Sequence, residues 1–344
     1  MNLASIAHKL DLSKKNTSLK IIRPLAPEVI IGGPPCQDFS SAGGRQEGKR
    51  ANLTVSFAKI VKSLKPKYFV MENVSRAQSS AAYKEARKMF KAAGYGLTEQ
   101  VIDASKCNVP QKRKRFFCIG ALNADDCFLD SYLIAYQSVL PLTMRQYFNA
   151  NNYPLNFDYY YRHPRTYSRR GIFSVDEPAP TIRGVNRPKP VDYVQHCKDA
   201  APPTGINSLT TMQRALLQTF PPEFQFNDCQ ATSDQLVGNA VPVNLAYCVA
   251  EALLAFENNE HSTALSFLGW LEATHKYSVQ AAKDVVSRLN RCNKLIALDK
   301  VLPTEYISLL EEHPDFLKLS KSVKSQLKRS IVLYYEYYNE DPRR

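Results

Sequence analysis

Short apolar runs separated by amphipathic stretches fill the first 120 residues. The runs at 20–22, 28–32, 67–71 (Lys-Tyr-Phe-Val-Met) and 115–120 (Arg-Phe-Phe-Cys-Ile-Gly) predict strands, and the stretches at 53–64 and 80–92 predict helices. Strands alternating with helices predict a parallel α/β sheet. Residues 121–208 lose clear periodicity and are rich in Tyr, Arg and Pro, the composition of a loop-rich recognition region. Helical patterns return at 209–220 and as a long apolar segment at 240–258. Beyond a polar break near 258–262 the pattern is helical throughout, at 264–273, 278–297, 304–312 and 320–338. No segment repeats another. No apolar run approaches the roughly 18 residues that a membrane span requires.

Charge sharpens this division. The net charge is +13, and residues 1–120 hold 22 Lys and Arg against 8 Asp and Glu. Residues 121–250 hold 10 against 11, and residues 251–344 hold 13 against 13. A basic excess confined to the α/β region suits a polyanionic substrate such as nucleic acid. The eight cysteines form no CxxC pair and follow no signal peptide, so they read as reduced thiols in a cytosol.

Candidate chemistry centres on residues 32–40, Gly-Gly-Pro-Pro-Cys-Gln-Asp-Phe-Ser, directly after Val29-Ile30-Ile31. This places Cys36 on a loop at the carboxyl end of a buried strand, where open α/β sheets bind ligands. Pro34 and Pro35 each fix φ and stiffen the approach to the thiol. Glu72-Asn73-Val74 follows the strand at 67–71, and Gln111-Lys-Arg113-Lys-Arg115 opens the strand at 115–120. Residues 209–221 read LTTMQRALLQTFP, and 238–246 read GNAVPVNLA. Singly, each has an ordinary explanation: a buried thiol, a carboxylate at a helix start, a solvated basic run, a strand-to-helix turn. Together and in this order they are specific.

These motifs resemble the DNA cytosine-5 methyltransferase family, whose PCQ, ENV, QxRxR and GNAVP signatures they match over about residues 8–250. The resemblance implies a Rossmann-like α/β fold that uses S-adenosylmethionine (SAM) and acts on double-stranded DNA. It implies that Cys36 attacks carbon 6 of cytosine, making carbon 5 nucleophilic enough to accept a methyl group. It implies that Glu72, its pKa raised by burial, engages ring nitrogen 3 and the exocyclic amine. Arg115 would hold the base carbonyl, with Arg113 in support. The target base must leave the duplex. Cofactor contacts are expected from Asp11, Leu12, Pro34, Leu53, Asn239 and Val241. Gln37, Ser40 and Arg45, in the glycine- and serine-rich loop, are expected to touch DNA. A tRNA-directed branch of the family carries a Cys-Phe-Thr signature, which this sequence lacks.

The resemblance assigns 1–120 to a catalytic core, 121–208 to target recognition, 209–258 to a return to the core and 262–344 to an added α-helical module. Residues 162–189 carry seven Lys and Arg. Of these, Arg165, Arg169, Arg170, Arg183 and Arg187 are the candidates for phosphate or guanine contacts. One family feature is missing. The FxGxGG turn that cradles the methionine part of SAM has no match, and only 27 residues precede the strand at 28–32. The expectation is therefore an N-terminally truncated sheet lacking its first two strands. A second polypeptide or an upstream segment would supply the missing motif. Otherwise the chain is an inactive remnant, or a subunit that binds DNA or a partner. The expected setting is a bacterial or phage-encoded restriction–modification system, cytoplasmic and associated with the nucleoid. In the tail, Ser278 is a plausible N-cap, Trp270, Val285 and Leu289 fall at core spacing, and Tyr334, Tyr335, Tyr337 and Tyr338 are expected to dock on the catalytic body.

Overall fold

The computed structural model describes residues 8–35, 52–166, 169–226, 229–258, 266–298 and 302–340. In chain order they form α1 (Lys15–Ile22), β1 (Val29–Gly32), α2 (Asn52–Leu64), β2 (Tyr68–Val74), α3 (Ala81–Ala92), β3 (Tyr95–Asp103), β4 (Gln111–Lys112), β5 (Lys114–Leu122), α4 (Asp130–Ala135) and α5 (Met144–Ala150). There follow β6 (Tyr159–Tyr161), β7 (Ile172–Ser174), β8 (Ala179–Pro180), α6 (Thr211–Leu217), α7 (Gln230–Asn239) and α8 (Val243–Glu257). The tail adds α9 (Phe267–His275), α10 (Val279–Leu295), α11 (Pro303–Glu312), α12 (Pro314–Leu317) and α13 (Lys321–Glu340). The chain divides into two compact units. One comprises residues 1–103 and 114–130, the other residues 104–113 and 131–344.

The first unit is built on a four-stranded sheet of order β1-β2-β5-β3. β1 runs parallel to β2, while β5 lies antiparallel to both β2 and β3. The all-parallel expectation fails at β5. Only ten residues separate β3 from β5, too few for the crossover helix that a parallel return needs. The buried run of β2 packs against α2 and α3 through Phe69, Phe90 and Phe57, with the Phe69 and Phe90 rings stacked at 4.2 Å. Gly120 on β5 is required here, because a Cβ would overlap the Phe69 ring. Ser80 caps α3 by accepting from the Tyr83 amide, and Gly94 at φ 94° ends the turn beyond it. β1 lies at one end of the strand order, with Ile31 75% and Val29 41% exposed. The strand expected at 20–22 is instead the last turn of α1. Three apolar residues cannot set a period, and the polar residues before them continue the helix.

The second unit holds two small sheets, β4-β8 and β6-β7, over a core of Met144, Tyr147, Phe148, Tyr160, Phe173, Leu217 and Val237. A capping box at Thr143 starts α5, and another at Thr210 starts α6. Residues 230–257 have the length and apolar composition of a membrane span, contrary to the sequence reading. The chain breaks there at Ala240–Pro242, and Leu245, Cys248, Val249, Ala252 and Ala255 on α8 are buried inside the unit. Helices α9–α13 share a core around Trp270, Val285, Leu289, Tyr306, Leu327 and Tyr337. Ser278 caps α10 by accepting from the Ala281 amide. Three of the four tyrosines expected to dock on the catalytic body serve this core instead: Tyr337 packs on Phe267 and Trp270, with Tyr334 and Tyr335 against the same cluster.

Candidate active site

β2 ends in Glu72 and Asn73, beside the point where β1 gives way to Gly33-Pro34. Asn73 is buried, and its Nδ2 donates to the Pro34 carbonyl at 3.1 Å. Its Oδ1 accepts from the Val74 amide at 2.9 Å. The Glu72 carboxylate lies against Gly33, with Oε2 3.3 Å from where a Cβ would stand. Arg115, at the start of β5, places Nε 2.8 Å from Glu72 Oε1, and both side chains are mostly buried. The parallel β1–β2 register, with Gly32 opposite Met71, therefore sets a carboxylate and a guanidinium at the root of the segment that carries Cys36. Cys36, Gln37, Ser40 and Arg45 lie outside the described residues.

Arg113 and Arg115 sit two residues apart but serve different units. Arg113 is 1% exposed. It donates to the carbonyls of Ile182 (2.9 Å), Gly238 (3.0 Å) and Ala240 (2.8 Å). Gln111 does matching work, donating to Leu217 O at 3.2 Å and Gln218 Oε1 at 3.0 Å while accepting from the Ile182 amide at 2.8 Å. Gln218 in turn donates to Val237 O at 2.6 Å. A Cβ on Gly238 would strike the backbone of Arg183 and Gly184, so glycine is the residue that lets α7 approach the 182–184 segment. Within the second unit Gln111 and Arg113, the LTTMQRALLQ helix, residues 182–184 and the GNAVP turn thus meet as one buried polar network. Sequence reading missed Arg214, Gln218 and Asp234. Arg214 forms a buried ion pair with Asp234 and donates to the Arg183 carbonyl, and Thr211 Oγ1 donates to Asp234 at 2.9 Å. The signal available was the Arg-x-x-x-Gln spacing on one helix face.

The other candidates fall as follows. Asp11 is exposed, accepts from the Ser13 amide at 3.0 Å and hydroxyl at 2.6 Å, and the Ser13 bonds hold its carboxyl below the ordinary range. Leu12 is exposed, and Pro34 and Leu53 are half-buried. Asn239 is exposed and Val241 half-buried at the end of α7. Arg165, Arg169 and Arg187 are exposed. Arg170 pairs with Glu177 and lies 4.1 Å over the Phe173 ring, while Arg183 donates to the His163 carbonyl. Asn108 has φ 54°, the positive value expected for a glycine-like position, and its carbonyl accepts from Asn244 Nδ2 at 2.8 Å.

The strand order, with one antiparallel strand inserted beside β2 and a carboxylate at the strand end, is that of a Rossmann-like methyltransferase. The crystal structure of the methyltransferase Dnmt2 from S. pombe has a TM-score of 0.55 to this chain at 18% identity, covering 74% of this chain and 85% of that one. The family model of C-5 cytosine-specific DNA methylases matches residues 4–255, and the chain belongs to that family. Type II methyltransferase M.HgiDI of Herpetosiphon aurantiacus is 49% identical over 268 residues, 78% of this chain and 86% of that protein. Type II methyltransferase M.HindV of Haemophilus influenzae is 47% identical, covering 74% and 84%.

The family's cofactor is SAM. Asp11 and Leu12 lead into α1, Pro34 follows β1 and Leu53 lies in the first turn of α2, and an exposed carboxylate with apolar side chains is the donor set that the adenine end of that cofactor would need. The described residues hold no glycine-rich turn suited to the methionine end.

Proposed function

We propose that this chain methylates carbon 5 of cytosine in duplex DNA through a covalent Cys36 adduct, as the modification enzyme of a type II restriction–modification system in the bacterial cytoplasm. The observation that carries this reading is the Glu72–Arg115 pair set against Gly33, with Asn73 holding the Pro34 carbonyl. In this mechanism the Cys36 thiolate adds to carbon 6 of the flipped-out base. Bound SAM supplies the electrophilic methyl group. Loss of the carbon 5 proton and then of the thiolate restores the aromatic ring and frees the enzyme. Negative charge that develops on the ring and carbonyl during addition is met by Arg115. Glu72 takes up a proton once the base has parted it from Arg115, gives that proton to the ring nitrogen and takes it back as the thiolate leaves. Arg115 and Glu72 hold each other until the base enters between them. Arg165, Arg169 and Arg187 are the exposed arginines that contact DNA, whereas Arg170 steadies its own segment through Glu177 and Phe173.

Glu72→Gln keeps the size of the side chain but removes its ability to take up and give a proton. Methyl transfer is expected to fall roughly 10²–10⁴-fold with little change in duplex affinity. Transfer from labelled SAM, measured beside gel-shift binding, checks this. Activity within a few-fold of the parent would remove Glu72 from the chemistry.

The exposed apolar edge of β1 favours a finer reading, in which a second polypeptide or an upstream segment pairs with β1 and completes the SAM site. The isolated chain is then expected to bind SAM weakly and to transfer no methyl groups until that segment is supplied. Micromolar SAM binding by the chain alone in calorimetry would overturn this reading. Silence both alone and with the added segment would favour a remnant or a purely DNA- or partner-binding subunit.

A further inference from the structure

The second unit contains a small cavity of about 20 Å³ lined by residues that include Tyr160, Arg162, His163, Arg183 and Arg214. Three guanidinium groups thus border one space, and their charges are poorly met. Arg214 pairs with Asp234. Arg162 donates to the Thr181 carbonyl at 2.7 Å, and Arg183 donates to the His163 carbonyl. Among the described residues neither of these two meets a carboxylate, and Glu177 is taken by Arg170. Carbonyl dipoles satisfy hydrogen bonds but do not neutralise charge. The charges facing this space are themselves positive, since Arg165, Arg183 and Arg214 all press on Arg162, and Arg183 and Arg187 press on His163. Burial and then Arg183 pull Arg162 down to about 10, leaving it still cationic at neutral pH.

Two lining side chains also carry polar atoms that are buried and unbonded: the Tyr160 hydroxyl and Arg183 Nε. Tyr160 is 2% exposed. An orphaned donor of this kind is unfavourable unless something accepts from it. Both groups can donate, so the missing partner is an acceptor, and the surplus of positive charge selects an anionic one. The volume admits a single oxygen-sized group rather than a base. The surroundings are rigid. The Ile182 amide and carbonyl are held by Gln111 and Arg113, the Arg183 carbonyl by Arg214, and Gly184 lies against Gln235. Arg183 therefore leaves a backbone that is already ordered, as a preorganised site requires.

We propose that this arginine-lined pocket takes an oxygen of one backbone phosphate of the substrate duplex. The inference rests on DNA being the substrate. The pocket would position the duplex without reading its sequence, leaving base contacts to the exposed arginines. Arg162 and Arg183 act here as anchors rather than catalytic groups.

The test is the salt dependence of duplex binding by the full chain, compared with Arg183→Gln and Arg183→Lys. Glutamine keeps an amide donor for the His163 carbonyl but removes the charge. The slope of log affinity against log salt is expected to fall by about one in Arg183→Gln, equally for all sequences, and to be kept in Arg183→Lys. An unchanged slope in a folded Arg183→Gln protein overturns the proposal and leaves the pocket to a buried water. Should Arg183→Gln fail to fold, the parent chain decides. Inorganic phosphate should raise its unfolding midpoint above that in sodium chloride of equal ionic strength, and duplex DNA should abolish the difference. Equal midpoints in the two salts overturn the proposal. A parent chain that binds no duplex at any salt concentration refutes the substrate reading itself, which separates the two failures.

Discussion

Cys36→Ala is expected to end methyl transfer, by roughly 10³-fold or more, while leaving duplex binding nearly intact. The reason lies in the substrate. Carbon 5 of cytosine carries too little electron density to displace a methyl group from a sulfonium donor. Addition of a thiolate at carbon 6 breaks the aromatic system and localises electrons on carbon 5, so the thiol makes the nucleophile and does not merely assist it. No other group in the proposed site can replace it. Glu72 and Arg115 are paired to each other, and in the proposed mechanism they act on the nitrogen and oxygen of the ring. The described residues that lead to Cys36 have anchors of their own, since the Pro34 carbonyl is held by Asn73 and Gly33 lies against Glu72. The check is a parallel measurement of transfer and of gel-shift affinity, made on whichever assembly, single chain or completed sheet, proves active. Transfer by the variant within about tenfold of the parent would exclude a covalent Cys36 mechanism.

Arg113→Ala is expected to act on folding before it acts on chemistry. Arg113 satisfies three buried carbonyls drawn from two segments that lie 69 and 125–127 residues away. Removing it strands those oxygens where water cannot reach them and opens a void the size of the side chain. The loss should be about 3–5 kcal/mol, in the range found when a buried charged network loses one member. Arg113→Lys should recover only part, because one ammonium cannot span three acceptors in the geometry of the planar fork. Urea denaturation followed by circular dichroism measures both. A direct catalytic role would show the opposite pattern, with lost turnover and an unchanged unfolding midpoint.

Two arginines two residues apart thus have separate tasks, and the reason is local. Arg115 lies within β5, opposite Val74, and turns to Glu72. Arg113 lies in the link before it and points into a different core. A run of alternating Lys and Arg reads as a basic patch in any sequence. Only the positions of Ile182, Gly238 and Ala240 distinguish a brace from a surface charge.

Much of the fold was legible in the chain itself. The apolar runs at 28–32, 67–71 and 115–120 became β1, β2 and β5, and the patterns at 53–64 and 80–92 became α2 and α3 within a residue or two. These elements carry strong local signals: in β2 and β5 a continuous apolar run for a strand buried on both faces, in α2 and α3 an apolar stripe for a helix packed on one. The run of β1, expected to be a buried strand, lies instead on an exposed edge. The motif residues were legible for a related reason. In the GNAVP turn Gly238 is constrained by close backbone approach, and the proposed chemistry would constrain Cys36 and Glu72 in the same way. β3 was missed because Thr98, Glu99 and Gln100 interrupt its apolar run, although Thr98 is fully buried. Its polar groups are satisfied across the fold, as where Glu99 accepts from Arg87 Nε at 2.8 Å.

What the sequence alone determined is the family: a thiol, a carboxylate and two arginines at spacings that match the cytosine-5 methyltransferases, on an alternating α/β pattern. What only the tertiary structure decided is which charges are free. Arg165, Arg169 and Arg187 remain exposed, and Arg183 meets no carboxylate among the described residues, while Arg113, Arg170 and Arg214 are committed to carbonyls, carboxylates or an aromatic face. The physical reason is that periodicity and residue type are properties of a short window. The burial and partners of a guanidinium depend on segments up to 127 residues away, and no window of that kind contains them.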